Sequence, residues 1–194
     1  MKIRRSLISR LGGDRSGVSS VEFALLVPIT FLLFFGMLEG SDLLTVNRRI
    51  AHASNSLADL VSQEPEITHS QMTDIIVGVS RMMETTDNST LEVKVVSVIR
   101  DPDNPDQAIV HWSRDQDGGE PYSPGSTYTG LDRPDVLNSM ASLVVSELDY
   151  TYDSGLTSKV FRTPYVFHRD AKRMPRKSTR VQLCNNNPTP TCTS

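Results

Sequence analysis

Apolar positions divide the chain into three regimes. From Val18 to Leu38 they are nearly continuous, and Glu22 is the one charged residue in the stretch. At 1.5 Å per residue a helix of that length reaches roughly 31 Å, about one hydrocarbon thickness. Beyond Glu39 the run gives way to a seam. Leu43, Val46, Ile50, Ala53, Leu57 and Leu60 recur every three or four residues, the heptad spacing of a helix that packs along one stripe, either on partner helices or on this chain's own globular part. Asn47, Arg48, Arg49, His52 and Asn55 lie off that stripe. Pro65 predicts an end near Gln63 or Glu64. The pattern therefore predicts one helix over residues 18–63, with Pro28 either kinking it or absorbed within the bilayer.

The third regime mixes short periods. Thr68, followed three residues on by Gln71, has capping-box spacing. Met72, Ile75, Ile76, Val79 and Met83 then predict a second helix to about Glu84, with the Met residues as core filler. Asp87-Asn88-Ser89 reads as a turn. Alternation predicts strands at Leu91–Ile99, Gln107–Ser113 and Ser142–Tyr152. Pro164 interrupts a fourth, Lys159–Phe167, and demotes it to an edge. Arg180–Leu183 would add a short last strand. Asp101–Asp106 and the Gly-, Pro- and Ser-rich Asp115–Gly130 read as loops, and Pro134–Met140 as a short helix. Helix, helix, then antiparallel strands make an α+β class. The expected organisation is a basic leader (1–17), a transmembrane and extended helix (18–63), and an α+β domain (64–194).

Charge changes this picture only at the N-terminus. The 194 residues carry 20 Lys+Arg and 23 Asp+Glu, a formal net charge of -3, which gives no case for nucleic-acid binding. Lys2, Arg4, Arg5, Arg10 and Arg15 precede the apolar run against Asp14 alone. The positive-inside rule then places the N-terminus in the cytoplasm and everything after Glu39 outside. A secretory signal peptide shares this layout, but Glu39-Gly40-Ser41-Asp42 is a poor cleavage site and the apolar run is long for one. A plain signal anchor is the other simple reading.

Candidate chemistry is sparse. There is no Gly-x-Ser-x-Gly, no phosphate-binding glycine loop and no His-Glu-x-x-His. No catalytic residue, cofactor or metal site is expected, and the chain reads as a non-enzyme. The strongest enzyme case would be an anchored hydrolase using His111 or His168 with a serine. Asp101, Asp103 and Asp106 lack the glycine and terminal glutamate of a calcium loop, and two prolines interrupt them. Arg169, Lys172, Arg173, Arg176, Lys177 and Arg180 face only Asp170; they suit a solvated linker, with anionic headgroups or an acidic partner as the alternative. Cys184 and Cys192 are expected to form a disulfide outside the cytoplasm, worth about 2–3 kcal/mol. Free thiols or half a metal site are the alternatives.

Glu22 fits a plain anchor only as an incidental carboxylate that snorkels to the interface. A carboxylate at the start of a membrane helix needs a partner. It stands five residues after Gly17, with a basic leader before and an apolar helix behind. Cleavage after Gly17 would free the amine of Val18, a cation able to pair with Glu22 of a neighbouring subunit. The run Gly17-Val-Ser-Ser-Val-Glu-Phe-Ala-Leu-Leu-Val-Pro28 resembles the N-terminal signature of TadE-like proteins of tight-adherence (Tad) pilus systems. Arg173–Cys184 also resembles the C-terminal end of such domains. The resemblance implies a pilin-like fold, processing between Gly17 and Val18 by a prepilin peptidase, and a place as a pseudopilin or minor pilin in pilus assembly. It implies as partners that peptidase, other pilin subunits, the Tad assembly machinery and the bacterial inner membrane, with the C-terminal domain periplasmic. A non-cleaved, membrane-anchored periplasmic scaffold or binding protein is the alternative reading.

Overall fold

A 45-residue helix, α1 (Val18–Ser62), dominates the N-terminal part of the computed structural model. The structure describes residues 17–83, 90–131, 133–137, 141–153 and 164–193. The basic leader up to residue 16, the turn at 87–89 and residues 159–163 of the expected fourth strand lie outside them. Two compact units divide the chain between Leu44 and Thr45, and α1 contributes to both.

In the first unit the helix shows apolar side chains on every side from Phe23 to Leu38. Phe23, Leu26, Ile29, Leu32, Phe34 and Met37 are all exposed. A helix with no polar face belongs in an apolar medium, and this one is long and apolar enough to cross a membrane. The helix continues through Pro28. Just beyond it, Thr30 Oγ1 donates to the Leu26 carbonyl at 2.9 Å. Proline removes one N–H from the ladder, the one that would bond the Ala24 carbonyl, while the Thr30 hydroxyl satisfies its own polar group on the helix backbone.

The second unit is built on a four-stranded antiparallel sheet in the order β3-β2-β4-β5. Its strands are β2 (Thr90–Arg100), β3 (Ala108–Asp115), β4 (Ser142–Tyr152) and β5 (Tyr165–Arg173). A two-stranded parallel pair joins β1 (Glu66–Thr68) to β6 (Gln182–Cys184). The α+β class holds, with the parallel pair added to the expected antiparallel sheet. β4 is central, and its first seven residues are buried on both faces. Ser146 Oγ donates to the Ser54 carbonyl at 2.8 Å, so the face bearing Ser146 meets the second half of α1. On the opposite face, Val96, Val98, Val110, Leu143 and Val145 pack with Tyr128 and Leu137.

Local signals account for most element ends. α1 closes with Gln63 N–H on the Leu60 carbonyl and Glu64 N–H on Val61, a tightened last turn before Pro65. Thr68 caps α2 (His69–Arg81) in a full capping box with Gln71. β5 begins directly after Pro164 and runs to Arg173, so the expected linker cations Arg169, Lys172 and Arg173 sit in a sheet-edge strand. Only Pro134–Val136 of the expected 134–140 helix is helical among the described residues, as a single 3₁₀ turn. Gly125 takes φ 81° in the turn closed by Ser126 N–H on Ser123, a conformation that favours glycine.

Candidate functional site

Gly17 stands immediately before the first residue of α1, and Val18 opens the helix. Val18 and Glu22 are four residues apart, so both lie on one helix face. Gly17, Val18 and Glu22 are all exposed. The Glu22 carboxylate points away from this chain's own packing. Within this unit Phe23, Leu26, Val27, Thr30, Phe31 and Phe34 form an apolar surface beside it.

The packing seam follows a different line from the heptad count. Buried α1 residues are Val46, Ile50, Ala53, Ser54, Leu57, Ala58, Val61 and Ser62. Leu43 is half-buried, and Leu60 is 42% exposed against 0% for Leu57. The correction is geometric. A straight helix turns every 3.6 residues, so a 3.5-residue count drifts by about 20° per heptad. After two heptads the stripe has passed from Leu60 to Val61. Ala53, Ser54 and Ala58 keep the middle of the stripe small, and Ser54 Oγ lies 3.0 Å from Ser146 Oγ across the contact.

The basic cluster clasps α1's polar side. Arg169 Nη2 donates to Asn47 Oδ1 at 2.6 Å and Arg173 Nη2 to Asn55 Oδ1 at 2.7 Å. Arg176 pairs with Asp59 at 2.5 Å and Lys177 with Glu64 at 3.8 Å. The signal was present as cations at 169, 173 and 176 and polar positions at 47, 55 and 59, but nothing local says that the two sets meet. Lys172 pairs instead with Asp170 at 2.6 Å, and this hydrogen bond is the main reason the Asp170 carboxyl sits below its ordinary range.

A second polar node was not anticipated. Glu147 is buried, with Tyr122 Oη donating to one carboxylate oxygen at 2.8 Å and Tyr128 Oη to the other at 2.5 Å. Burial, then the bond to Glu147, pushes the Tyr122 phenol up to about 12 and raises Tyr128 as well. Both tyrosines come from the 116–131 loop, which this node ties to the sheet.

The remaining candidates are structural in their surroundings. His111 Nδ1 lies 3.4 Å from Ser97 Oγ, beside the β2–β3 register shift, and both residues are buried. His168 pairs with Asp149 at 2.5 Å on the exposed sheet edge. Asp101 Oδ1 accepts from Asp103 N–H, closing its own turn. Cys184 and Cys192 are joined by a disulfide. Glu66 lies beside the two sulfurs, which are bonded to each other and present no thiolate for a metal.

Residues 17–59 match the family model of TadE-like protein. The matched stretch starts at Gly17, takes in Glu22 and the whole apolar run, and ends within the buried stripe. This TadE-like segment therefore covers the two halves of α1 and leaves the sheet unmatched. No curated protein and no solved structure matches the chain.

Proposed function

We propose that this chain is a pseudopilin or minor pilin of a Tad-type pilus system. The observation that carries the reading is the join of Gly17, Val18 and Glu22 to an exposed, wholly apolar helix, inside a TadE-like match. The N-terminus lies on the cytoplasmic side, where the leader's cations hold it. A prepilin peptidase hydrolyses the Gly17–Val18 amide. Water supplies the oxygen of the new Gly17 carboxylate, and the Val18 nitrogen leaves as an ammonium. The leader takes Lys2, Arg4, Arg5, Arg10 and Arg15 with it. The ammonium pairs with Glu22 of an adjacent subunit, so neither charge stands alone in hydrocarbon.

The two halves of α1 then divide the labour. Val18–Leu38 packs on neighbouring helices, while Val46, Ile50, Ala53 and Leu57 hold the chain's own sheet. The protein acts by assembly and not by catalysis, which suits buried His111 and Ser97. Substitutions test the two steps separately. Gly17→Leu is expected to leave the leader attached. Glu22→Gln is expected to be processed normally yet to reduce pilus assembly at least about ten-fold, a single lost charge pair in a dry site. Normal assembly in Glu22→Gln would remove the salt bridge from the account.

A further inference from the structure

The C-terminal cystine loop reaches back to the start of α2, and this contact is not needed for the proposed function. Ser70 is the second residue of α2, and its N–H donates to Asn186 Oδ1 at 3.0 Å. Gln71 N–H donates to Thr68 Oγ1 and Thr68 N–H to Gln71 Oε1. The capping box alone leaves the Ser70 N–H without an acceptor in the first turn. Asn186 fills that gap from 116 residues away.

What places Asn186 there is a small hairpin closed by the disulfide between Cys184 and Cys192. Leu183 N–H donates to Thr193 Oγ1, and Thr193 N–H returns to the Leu183 carbonyl, both at 3.0 Å. Asn185 holds the turn through Thr191 N–H on its Oδ1 at 3.1 Å. The hairpin's first arm is β6, and Cys184 is in register with Thr68, the cap residue of α2. Upstream, β6 is anchored independently of the cystine. Gln182 N–H donates to the Pro65 carbonyl at 3.0 Å, and Trp112 Nε1 donates to the Val181 carbonyl at 2.8 Å. Val181 and Leu183 are buried.

We infer that the Cys184–Cys192 disulfide is a redox-sensitive latch whose local output is the Asn186 cap on α2. Oxidised, the short loop presents Asn186 to Ser70. A dithiol reductant donates two electrons and two protons, gives two thiols, and is itself oxidised to its disulfide. The 185–193 segment then loses its covalent closure and is held only by the Leu183–Thr193 and Asn185–Thr191 hydrogen bonds, while Val181 and Leu183 keep β6 against β1. Reduction uncaps one helix end without dismantling the sheet.

Amide hydrogen exchange on the full chain in detergent micelles, read at Ser70 and at β4, tests this. Reduction with dithiothreitol and the Asn186→Ala variant should each speed exchange at Ser70 about five-fold, the usual scale of a lost helix cap. The two together should do no more than either alone. Asn186→Asp, which keeps the acceptor, should stay protected while oxidised, and β4 should be unchanged throughout. Ser70 exchange that ignores reduction overturns the latch, whatever Asn186→Ala does. Faster exchange in β4 on reduction also overturns it, since the cystine would then hold the whole domain. Neither readout depends on processing at Gly17 or on pilus assembly.

Discussion

The two halves of α1 share one backbone geometry and opposite surface logic. Before Leu44 the apolar side chains point in every direction and none of the run is buried. After Thr45 they narrow to a stripe, and the polar positions Asn47, Asn55 and Asp59 outside it are each held by an arginine. The first half asks for an apolar surrounding from outside the chain, while the second finds its partner in the chain's own sheet. The lesson is that length and helical period do not say what a helix packs against. The distribution of polar residues around it does.

Truncation should break that contrast most visibly. Leu57→Ala removes a fully buried side chain from the helix–sheet contact and is expected to cost about 3 kcal/mol. Leu32→Ala, on the exposed apolar half, should leave thermal unfolding of the sheet domain unchanged. Circular dichroism melts of both variants decide it, and equal losses would erase the distinction between the halves. Next in size is Tyr128→Phe, which leaves one oxygen of buried Glu147 without its phenol donor. It should cost about 1–3 kcal/mol by chemical denaturation.

Alkaline pH sharpens the same node. The Tyr122 phenol is raised from 10.0 to about 12 in the folded chain, chiefly by burial. A group whose folded value lies above its unfolded one adds stability that is complete below the unfolded value and is lost as pH rises through the folded one. The stability difference between the parent and Tyr122→Phe should therefore hold below pH 10 and shrink between about pH 10 and 12. A difference independent of pH across that window would deny the coupling. The smallest effect belongs to Leu60→Ala, which should change stability by no more than about 0.5 kcal/mol. A loss matching that of Leu57→Ala would restore the heptad line through Leu60.

Much of this organisation was legible in the sequence because its signals are local. The apolar run from Val18 fixes α1, Thr68 with Gln71 fixes the start of α2, and alternation finds Ser142–Tyr152 at both ends. The candidate processing residues were legible for the same reason, since Gly17, Val18 and Glu22 are close neighbours. Three features were not legible, and each depends on distance. β1 is three residues long with Ile67 as its one apolar side chain, and it exists because β6 comes alongside. The arginine clasp joins residues more than a hundred positions apart. The Glu147 node requires two tyrosines from a loop whose composition reads as solvent-exposed.

In the proposed function the exposed half of α1 begins as a free amine. Intact mass and N-terminal sequence of the membrane-bound chain, made with and without the system's prepilin peptidase, test it most directly. A chain starting at Val18 is expected when the peptidase is present, and one starting at Met1 when it is absent. A chain that starts at Met1 in both would contradict it, leaving a membrane-anchored scaffold in which Glu22 has no amine to meet.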